Sequence, residues 1–329
     1  MLYLNEKDIG SLITMPEVME AVDKCFKLQG RGQAPNQPRR RIFMPKGTLH
    51  AMSGGLVDGS EAYLGVKAYT TFPGLGTRFI FILWDANTAE LLSFMEANIE
   101  GQLRTGAASG VAAKYMARED ASEAGLFGTG WQARTQLEAL CCARPLKKVK
   151  VYSRNAEKRE KFVAAMQAKV KAHLVPVGSP AEAVKGSQIV CTMTNAKDPV
   201  FDGKDLDPGT TVIAAGSNRG TNREVDDETF RMAARGRIAT DNIEGSHFES
   251  GDLIAAVRAN VIQWGQVVEF GLIASGQMPG RASRDEINLF LSQGVAIEDV
   301  ALGAELYKRA KDRGVGTKLP IEGVFKKAT

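Results

Sequence analysis

Gly125-Leu126-Phe127-Gly128-Thr129-Gly130-Trp131-Gln132-Ala133-Arg134 is the stretch that decides the fold. It holds G-x-G-x-x-A, with an apolar run just upstream and the helix-favouring Thr135-Gln136-Leu137-Glu138-Ala139-Leu140 downstream. This is the strand–turn–helix context in which such a motif binds a dinucleotide. Gly128 permits the tight turn, and Gly130, lacking a Cβ, lets backbone N–H groups approach a pyrophosphate. Ala133 is small enough for the helix to lie on its strand. The helix start adds unpaired N–H donors and a partial positive charge. Thr129, Trp131 and Gln132 lie within the same turn. A glycine turn without a ligand is the alternative reading.

The next strand favours the ligand. Lys148-Val149-Lys150-Val151-Tyr152-Ser153 ends in Ser153-Arg154-Asn155, where the ribose-recognising residue belongs, about 20 residues past the glycines. An Asp or Glu there selects NAD. Arg154 instead can pair with a 2′-phosphate and Ser153 can hydrogen-bond to it, which favours NADP(H) and leaves NAD(H) possible. A solvated surface arginine is the alternative for Arg154.

From residue 118 onward, strands alternate with helices, which argues for a parallel sheet. Strands are expected at 174–177, 188–193, 211–215 and 237–240, and a charged helix at 156–171 with Phe162, Val163 and Met166 inward. Ligands of such sheets lie beyond the carboxyl ends of the strands. Thr192, Thr194, Gly216, Ser217 and Asn218 are therefore cofactor-side candidates by position.

The N-terminal part reads differently. Thr14-Met15-Pro16-Glu17 opens a helix with a capping box. Strands follow at 40–44, 50–54, 63–71, 78–84 and 90–94. Short turns separate them, so the sheet is antiparallel and distinct from the nucleotide half. In Gly65-Val66-Lys67-Ala68-Tyr69, alternation sets Lys67 with Gly65, Tyr69 and Thr71 on one face and Val66 with Ala68 on the other. Lys67 is either on a solvated face or aimed into a cleft. Residues 98–117 are rich in small side chains and read as a closely packed helix. Arg104 and Thr105 near its start suit an anionic ligand. A last helix spans 297–313 and stops at Gly314.

The totals agree with an ordinary globular chain. Of 329 residues, 24% are charged and 44% hydrophobic, long enough for two domains. The net charge of +4 is too weak, and the basic residues too scattered, to imply nucleic acid. No apolar run approaches a membrane span. Cys25, Cys141, Cys142 and Cys191 form no C-x-x-C and have no histidine at metal spacing, so no metal is expected. Glu6, Lys7 and Asp8 exclude a signal peptide reading, and a reduced cytoplasmic compartment is the default.

Taken together, Gly65-Val66-Lys67, Arg104-Thr105-Gly106-Ala107, Gly125 to Ala133, and Ala214-Ala215-Gly216 followed by Arg223-Glu224-Val225-Asp226 resemble the ornithine cyclodeaminase / mu-crystallin family over the whole length. The resemblance implies an α/β fold, a doubly wound Rossmann parallel sheet plus an α+β substrate-binding and dimerisation lobe. The lobe would comprise residues 1–117 with 296–329, the Rossmann domain 118–295, and the assembly a homodimer. The resemblance puts Arg41, Lys67 and Arg104 around a substrate carboxylate, with Lys67 the acid/base candidate. His50 is an alternative proton donor or a structural histidine.

The family's cyclodeaminases carry a catalytic aspartate where this chain has Ser217, and a glutamate near the place of His50. Serine cannot serve as that carboxylate base. What the resemblance implies is therefore NAD(P)H-dependent reduction of a cyclic or linear ketimine of an α-imino acid, such as Δ1-pyrroline-2-carboxylate or Δ1-piperideine-2-carboxylate. The alternatives are an L-amino-acid dehydrogenase of alanine or arginine type, an ornithine or lysine cyclodeaminase releasing ammonia, and an NADP(H)-binding carrier of mu-crystallin type.

Overall fold

The computed structural model describes residues 1–321. The chain folds as two compact units: Met1–Arg104 together with the residues from Val295 on, and Thr105–Gly294.

The first unit is built on a seven-stranded sheet. Strands β1 (Leu2–Leu4), β2 (Asn36–Met44), β3 (Gly47–Asp58), β4 (Glu61–Phe72), β5 (Gly76–Asp85) and β6 (Leu91–Glu96) are joined by the short strand Thr317–Lys318. The order runs from that strand through β1, β6, β5, β4 and β3 to β2. β2 to β6 are successive antiparallel neighbours, as the turn signals imply. β1, which the sequence reading did not include, pairs with β6 in parallel.

One face of β3 to β5 is covered by the helix Ala296–Arg313, and small residues set how closely. A Cβ at Gly54 would meet Ile297, and one at Gly65 would meet Phe81 and Val300. Phe81 is fully buried, and a Cβ at Gly303 of the helix would also collide with it. The aromatic ring thus fills a hollow that two glycines leave open, and burying it is worth about 2–3 kcal/mol. Gly314, in the left-handed region at φ 64°, ends the helix.

The second unit holds eight strands: β7 (Glu123–Phe127), β8 (Lys148–Tyr152), β9 (His173–Pro176), β10 (Ile189–Thr192), β11 (Thr211–Ala214), β12 (Arg237–Thr240), β13 (Val267–Glu269) and β14 (Asn288–Leu291). All pair in parallel, in the order β13-β12-β14-β11-β10-β7-β8-β9. Every residue of β10, β11 and β14 is buried, as a sheet covered on both faces requires. The chain winds outward from β7 to β9 and then from β10 the other way. The switch point therefore lies between β7 and β10, where such sheets bind ligands.

The expected division after residue 117 falls elsewhere in the compact units. The helix Asn98–Met116 is divided between Arg104 and Thr105. The reason is packing. Gln136 Nε2 donates to the Thr105 carbonyl at 3.1 Å, and a Cβ at Gly106 would strike the Thr135 backbone. The rear of this helix therefore belongs to the nucleotide unit. The second crossing lies at Gly294/Val295, one residue before the expected 295/296. No described helix is long and apolar enough to cross a membrane.

Within the first unit the helix Met15–Gly30 is tied to Ala296–Arg313. Glu17 Oε2 accepts from Thr14 N and Oγ1, both at 2.7 Å, while Oε1 accepts from Arg309 at 2.7 Å. Arg309 first, then Thr14, holds the Glu17 carboxyl at about 2, well below its ordinary 4.5. A depressed carboxyl contributes stability that is present above the unfolded value and lost as pH falls through the folded one. Wild type should therefore lose stability between about pH 4.5 and 2 more steeply than Glu17→Gln, read by urea unfolding at each pH. Equal acid slopes for the two proteins would exclude this tie.

Candidate active site

In the nucleotide unit, β7 leads into a turn that only glycine fits. Gly128 has φ 107°, and a Cβ there would strike the Met193 carbonyl. Gly130 is the N-cap residue of the helix Trp131–Ala143 and has nothing within 4 Å of its ideal Cβ position. No described side chain caps that helix. Ala133 is fully buried against the sheet. Trp131 is exposed beside the turn, and Gln132 Oε1 is buried with no hydrogen-bond partner.

At the end of β8, Thr129 Oγ1 donates to Ser153 Oγ at 3.3 Å, joining the glycine turn to the ribose position. Arg154 is exposed there. Asn155 Oδ1 caps the helix Ala156–Gln167, accepting from Lys158 N at 2.8 Å, which leaves its Nδ2 amide to meet a ribose. Arg159 adds a second guanidinium to this corner, donating to the Ser153 carbonyl at 3.0 Å. The sequence reading passed it over as part of a charged helix.

The ends of β10 and β11 are fastened by a carboxylate that was quoted in the sequence but given no role. Glu224 Oε1 accepts from Thr194 N and Oγ1, and Oε2 accepts from Gly216 N, each at 2.7 Å. A Cβ at Gly216 would collide with the Thr194 backbone, so glycine is needed for this closure. Burial lifts the Glu224 carboxyl to about 7, against the downward pull of those donors. Asp252 Oδ1 in turn accepts from Glu224 N and Val225 N. Asp241 Oδ2 does the same after β14, accepting from Ser292 Oγ, Gln293 N and Gly294 N. Thr194 therefore spends its hydroxyl proton on Glu224. Thr192 is different: its Oγ1 is fully buried and has no partner. Ser217 is half-buried, and its Oγ accepts from Arg219 N at 3.2 Å.

The open turn at Gly130, the uncapped helix and the orphan atoms of Gln132 and Thr192 fit a dinucleotide on this edge of the sheet. Gly128 to Ala133 would hold the pyrophosphate and Ser153-Arg154 the ribose, and the bound group would supply or accept a hydride.

In the first unit, three candidates, Arg41, His50 and Lys67, share one sheet face. Register pairs Arg41 with His50, His50 with Tyr69 and Tyr69 with Phe79, and pairs Lys67 with Met52 and Phe81. His50 stacks on Tyr69 at 4.2 Å between centroids, with planes 5° apart. Lys67 Nζ lies 5.3 Å over the Phe79 ring.

Lys67 is fully buried. Its Nζ donates to Asp299 Oδ1 at 2.6 Å and to Glu100 Oε2 at 3.1 Å. It reaches them because Gly101 has no side chain: a Cβ there would sit 2.6 Å from Nζ. The sequence reading placed Lys67 near two arginines. Its immediate charged neighbours are instead two carboxyl groups, with Arg104 beyond Asp299.

Arg104, expected to meet an external anion, is already held by two of the chain's own carboxylates. Nε donates to Asp299 at 3.0 Å and Nη1 to Glu298 at 2.9 Å. Two of its three nitrogens are thus spent on the protein's own carboxylates, leaving Nη2. Burial opposes its charge, yet Asp299, Glu298 and Glu100 raise the guanidinium above its ordinary value. Burial also pushes Asp299 up, but Arg104 and Lys67 outweigh it and hold the carboxyl below the usual range. Glu100 goes the other way: burial, reinforced by Asp299, lifts it to about 8 despite Lys67 and Arg104.

A model of the ornithine cyclodeaminase/mu-crystallin family matches residues 1–314. A Delta(1)-pyrroline-2-carboxylate reductase of Bacillus cereus is 32% identical over 336 residues, covering 97% of this chain and 99% of that protein. The structure of the Thermococcus litoralis Delta(1)-pyrroline-2-carboxylate reductase in complex with NADH and L-proline is similar at TM-score 0.90 and 36% identity, over 97% of this chain and 100% of that one. An archaeal alanine dehydrogenase dimer with bound NAD gives TM-score 0.88 and 33% identity, over 97% of this chain and 98% of that one. The chain belongs to the ornithine cyclodeaminase/mu-crystallin family.

Proposed function

We propose that this family member is a nicotinamide-dependent oxidoreductase that reduces the C=N bond of an α-imino acid to the L-amino acid. The observation that carries the reading is the buried Lys67 ammonium on the same sheet face as Arg41 and His50, with Arg104 joined to it through Asp299. Arg41 and the remaining Nη2 of Arg104 bind the substrate carboxylate by charge-assisted hydrogen bonds. Lys67 gives a proton to the imine nitrogen as the carbon receives hydride. The reduced nicotinamide supplies that hydride. Atoms balance: imine, reduced cofactor and one proton give amine and oxidised cofactor. Ser217 at the end of β11 offers no carboxylate base, which disfavours cyclodeamination. Cyclic imines such as Δ1-pyrroline-2-carboxylate are the first substrates, in keeping with the similar reductases. The similarity to an alanine dehydrogenase supports a second reading, reversible amination of pyruvate.

Following nicotinamide absorbance with Δ1-pyrroline-2-carboxylate, Δ1-piperideine-2-carboxylate, and pyruvate plus ammonia decides between them. Oxidation of the reduced cofactor by a cyclic imine is the expected result; turnover of pyruvate and ammonia alone selects the second reading. Lys67→Ala should lower turnover by about 10²–10⁴ while cofactor binding persists. That variant also strands buried carboxylates, at about 3–5 kcal/mol. Lys67→Gln, which keeps a donor in place, therefore serves as the folded control. Unchanged turnover in both excludes Lys67 as the proton donor.

The cofactor reading is finer than the NADH and NAD of the similar structures. An exposed Arg154 with Arg159 beside it, and no acid at the end of β8, supports NADPH. Arg154→Ala should reduce kcat/KM for NADPH by about tenfold or more, the loss of one charge-assisted contact, and leave NADH nearly unaffected. Equal loss with both cofactors would rule out a 2′-phosphate contact.

We also infer a homodimer. The sheet face opposite Lys67 exposes Ile42, Leu49, Leu64 and Ile80, and an apolar cavity of about 550 Å³ opens on it beside Leu64, Val66 and Trp84. Such a face calls for cover, and the archaeal alanine dehydrogenase is a dimer. Sedimentation at the mass of a single chain would overturn this.

A further inference from the structure

Two features of the Lys67 cluster go beyond holding a lysine. Glu100 and Asp299 meet at one ammonium, and each is fully buried. Their second oxygens, Glu100 Oε1 and Asp299 Oδ2, are buried and accept no hydrogen bond among the described residues. Two ionised carboxylates in that arrangement would repel each other and leave two lone-pair sites unmet. One proton between them removes both problems.

Which acid holds the proton follows from the neighbours. Asp299 accepts from both Lys67 and Arg104, which hold its carboxyl below the usual range, and Glu298 accepts from Arg104. Glu100 accepts only the longer bond from Lys67. The groups facing it are Lys67 from β4, Asp299 from the C-terminal helix and Arg104 from its own helix. The Cys25 thiol, from the helix Met15–Gly30, is buried near Glu298 and Asp299 and is held protonated.

We propose that Glu100 stores the proton that Lys67 delivers, acting through Lys67 as a positioning and proton-returning residue. This rests on the imine-reduction reading. In the step, Lys67 transfers a proton to the imine nitrogen while hydride from the reduced nicotinamide adds to the carbon. The Glu100 O–H bond then breaks, its proton passes to the Lys67 amine, and the carboxylate left behind recovers a proton from solvent between turnovers. Burial of Glu100 places its titration near 8, so the protonated form prevails at neutral pH and is lost above it.

Glu100→Gln separates this from a structural role. Glutamine is the isostere of a protonated glutamate. Its amide oxygen still accepts from Lys67 and its NH₂ still donates to Asp299, but it has no proton to give. A structural role therefore predicts a variant like wild type. The proton role predicts that Glu100→Gln keeps its thermal midpoint and its KM within about threefold, yet loses about 10- to 100-fold in kcat for Δ1-pyrroline-2-carboxylate, below the full effect of a general acid. Wild-type kcat should fall with rising pH through an apparent value near 8, and that limb should vanish in the variant. An unchanged kcat and pH profile in Glu100→Gln would overturn the proposal. Difference infrared spectroscopy of wild type against Glu100→Gln reads the stored proton without turnover. A carbonyl stretch of a protonated acid that disappears in the variant is expected at pH 6.5 and should bleach by pH 9.5; its absence at both pH values also overturns the proposal. If wild type reduces no imine but shows the band, the substrate reading fails and the relay fails with it, while the protonated resting state stands.

Discussion

The first unit depends on one ammonium group held away from water. Lys67 sits in the middle of β4, where alternation forces it toward the covered face of the sheet. An isolated buried lysine is intolerable at that depth, so acids must be delivered to it. Asp299 comes from 232 positions along the chain and Glu100 from the first turn of another helix. The glycines at 65, 101 and 303 then make sense together. Each removes a side chain that would keep a helix, or the lysine itself, from closing the distance. Charge neutrality and close packing are met by the same set of residues, so a change in either disturbs the other.

The nucleotide unit solves a related problem with opposite polarity. A turn suited to a pyrophosphate must offer backbone N–H groups, while the loops after the strands must be held rigid without side chains filling the crevice. Glu224, Asp241 and Asp252 perform the second task from behind, gathering backbone N–H groups of the loops that follow β10, β11 and β14 and of the segment at Glu224–Val225. Carboxylates suit this work because one group can accept several bonds at once. The crevice side is left with Thr192 and Gln132, whose buried acceptors are unused by the protein.

Much of this is legible in the sequence where the signal is local. Period-two alternation over 63–71 placed Lys67 opposite Val66 and Ala68. The capping box at Thr14–Glu17, the stop at Gly314 and the turn at Gly128 were all readable from residue type. What escaped was everything that depends on distant partners. Glu298 and Asp299 look like ordinary first-turn acids at a helix start, and Glu100 like another. Only the fold shows that they point inward at a lysine. For the same reason nothing local in the sequence shows that Arg104 also meets two carboxylates of its own chain. The capping duty of Asn155 likewise appears only once the helix behind it exists. Strand β1 carries too few residues for alternation to register.

The crossings at Arg104/Thr105 and Gly294/Val295 make the nucleotide unit an insertion within the other unit. This has a consequence for how the protein is made. A ribosome releases chain from the N-terminus, and domains fold as units when their residues have emerged. The nucleotide unit is contiguous and is complete when Gly294 has left the exit tunnel. The lobe around Lys67 has by then waited since residue 104 with its lysine unneutralised by Asp299 and the covered face of its sheet bare. Newly made chains thus pass through a stage in which one half is finished and the other presents β3 to β5 uncovered. It ends only with arrival of the helix Ala296–Arg313, which places the closing of this lobe after the whole nucleotide unit has been translated.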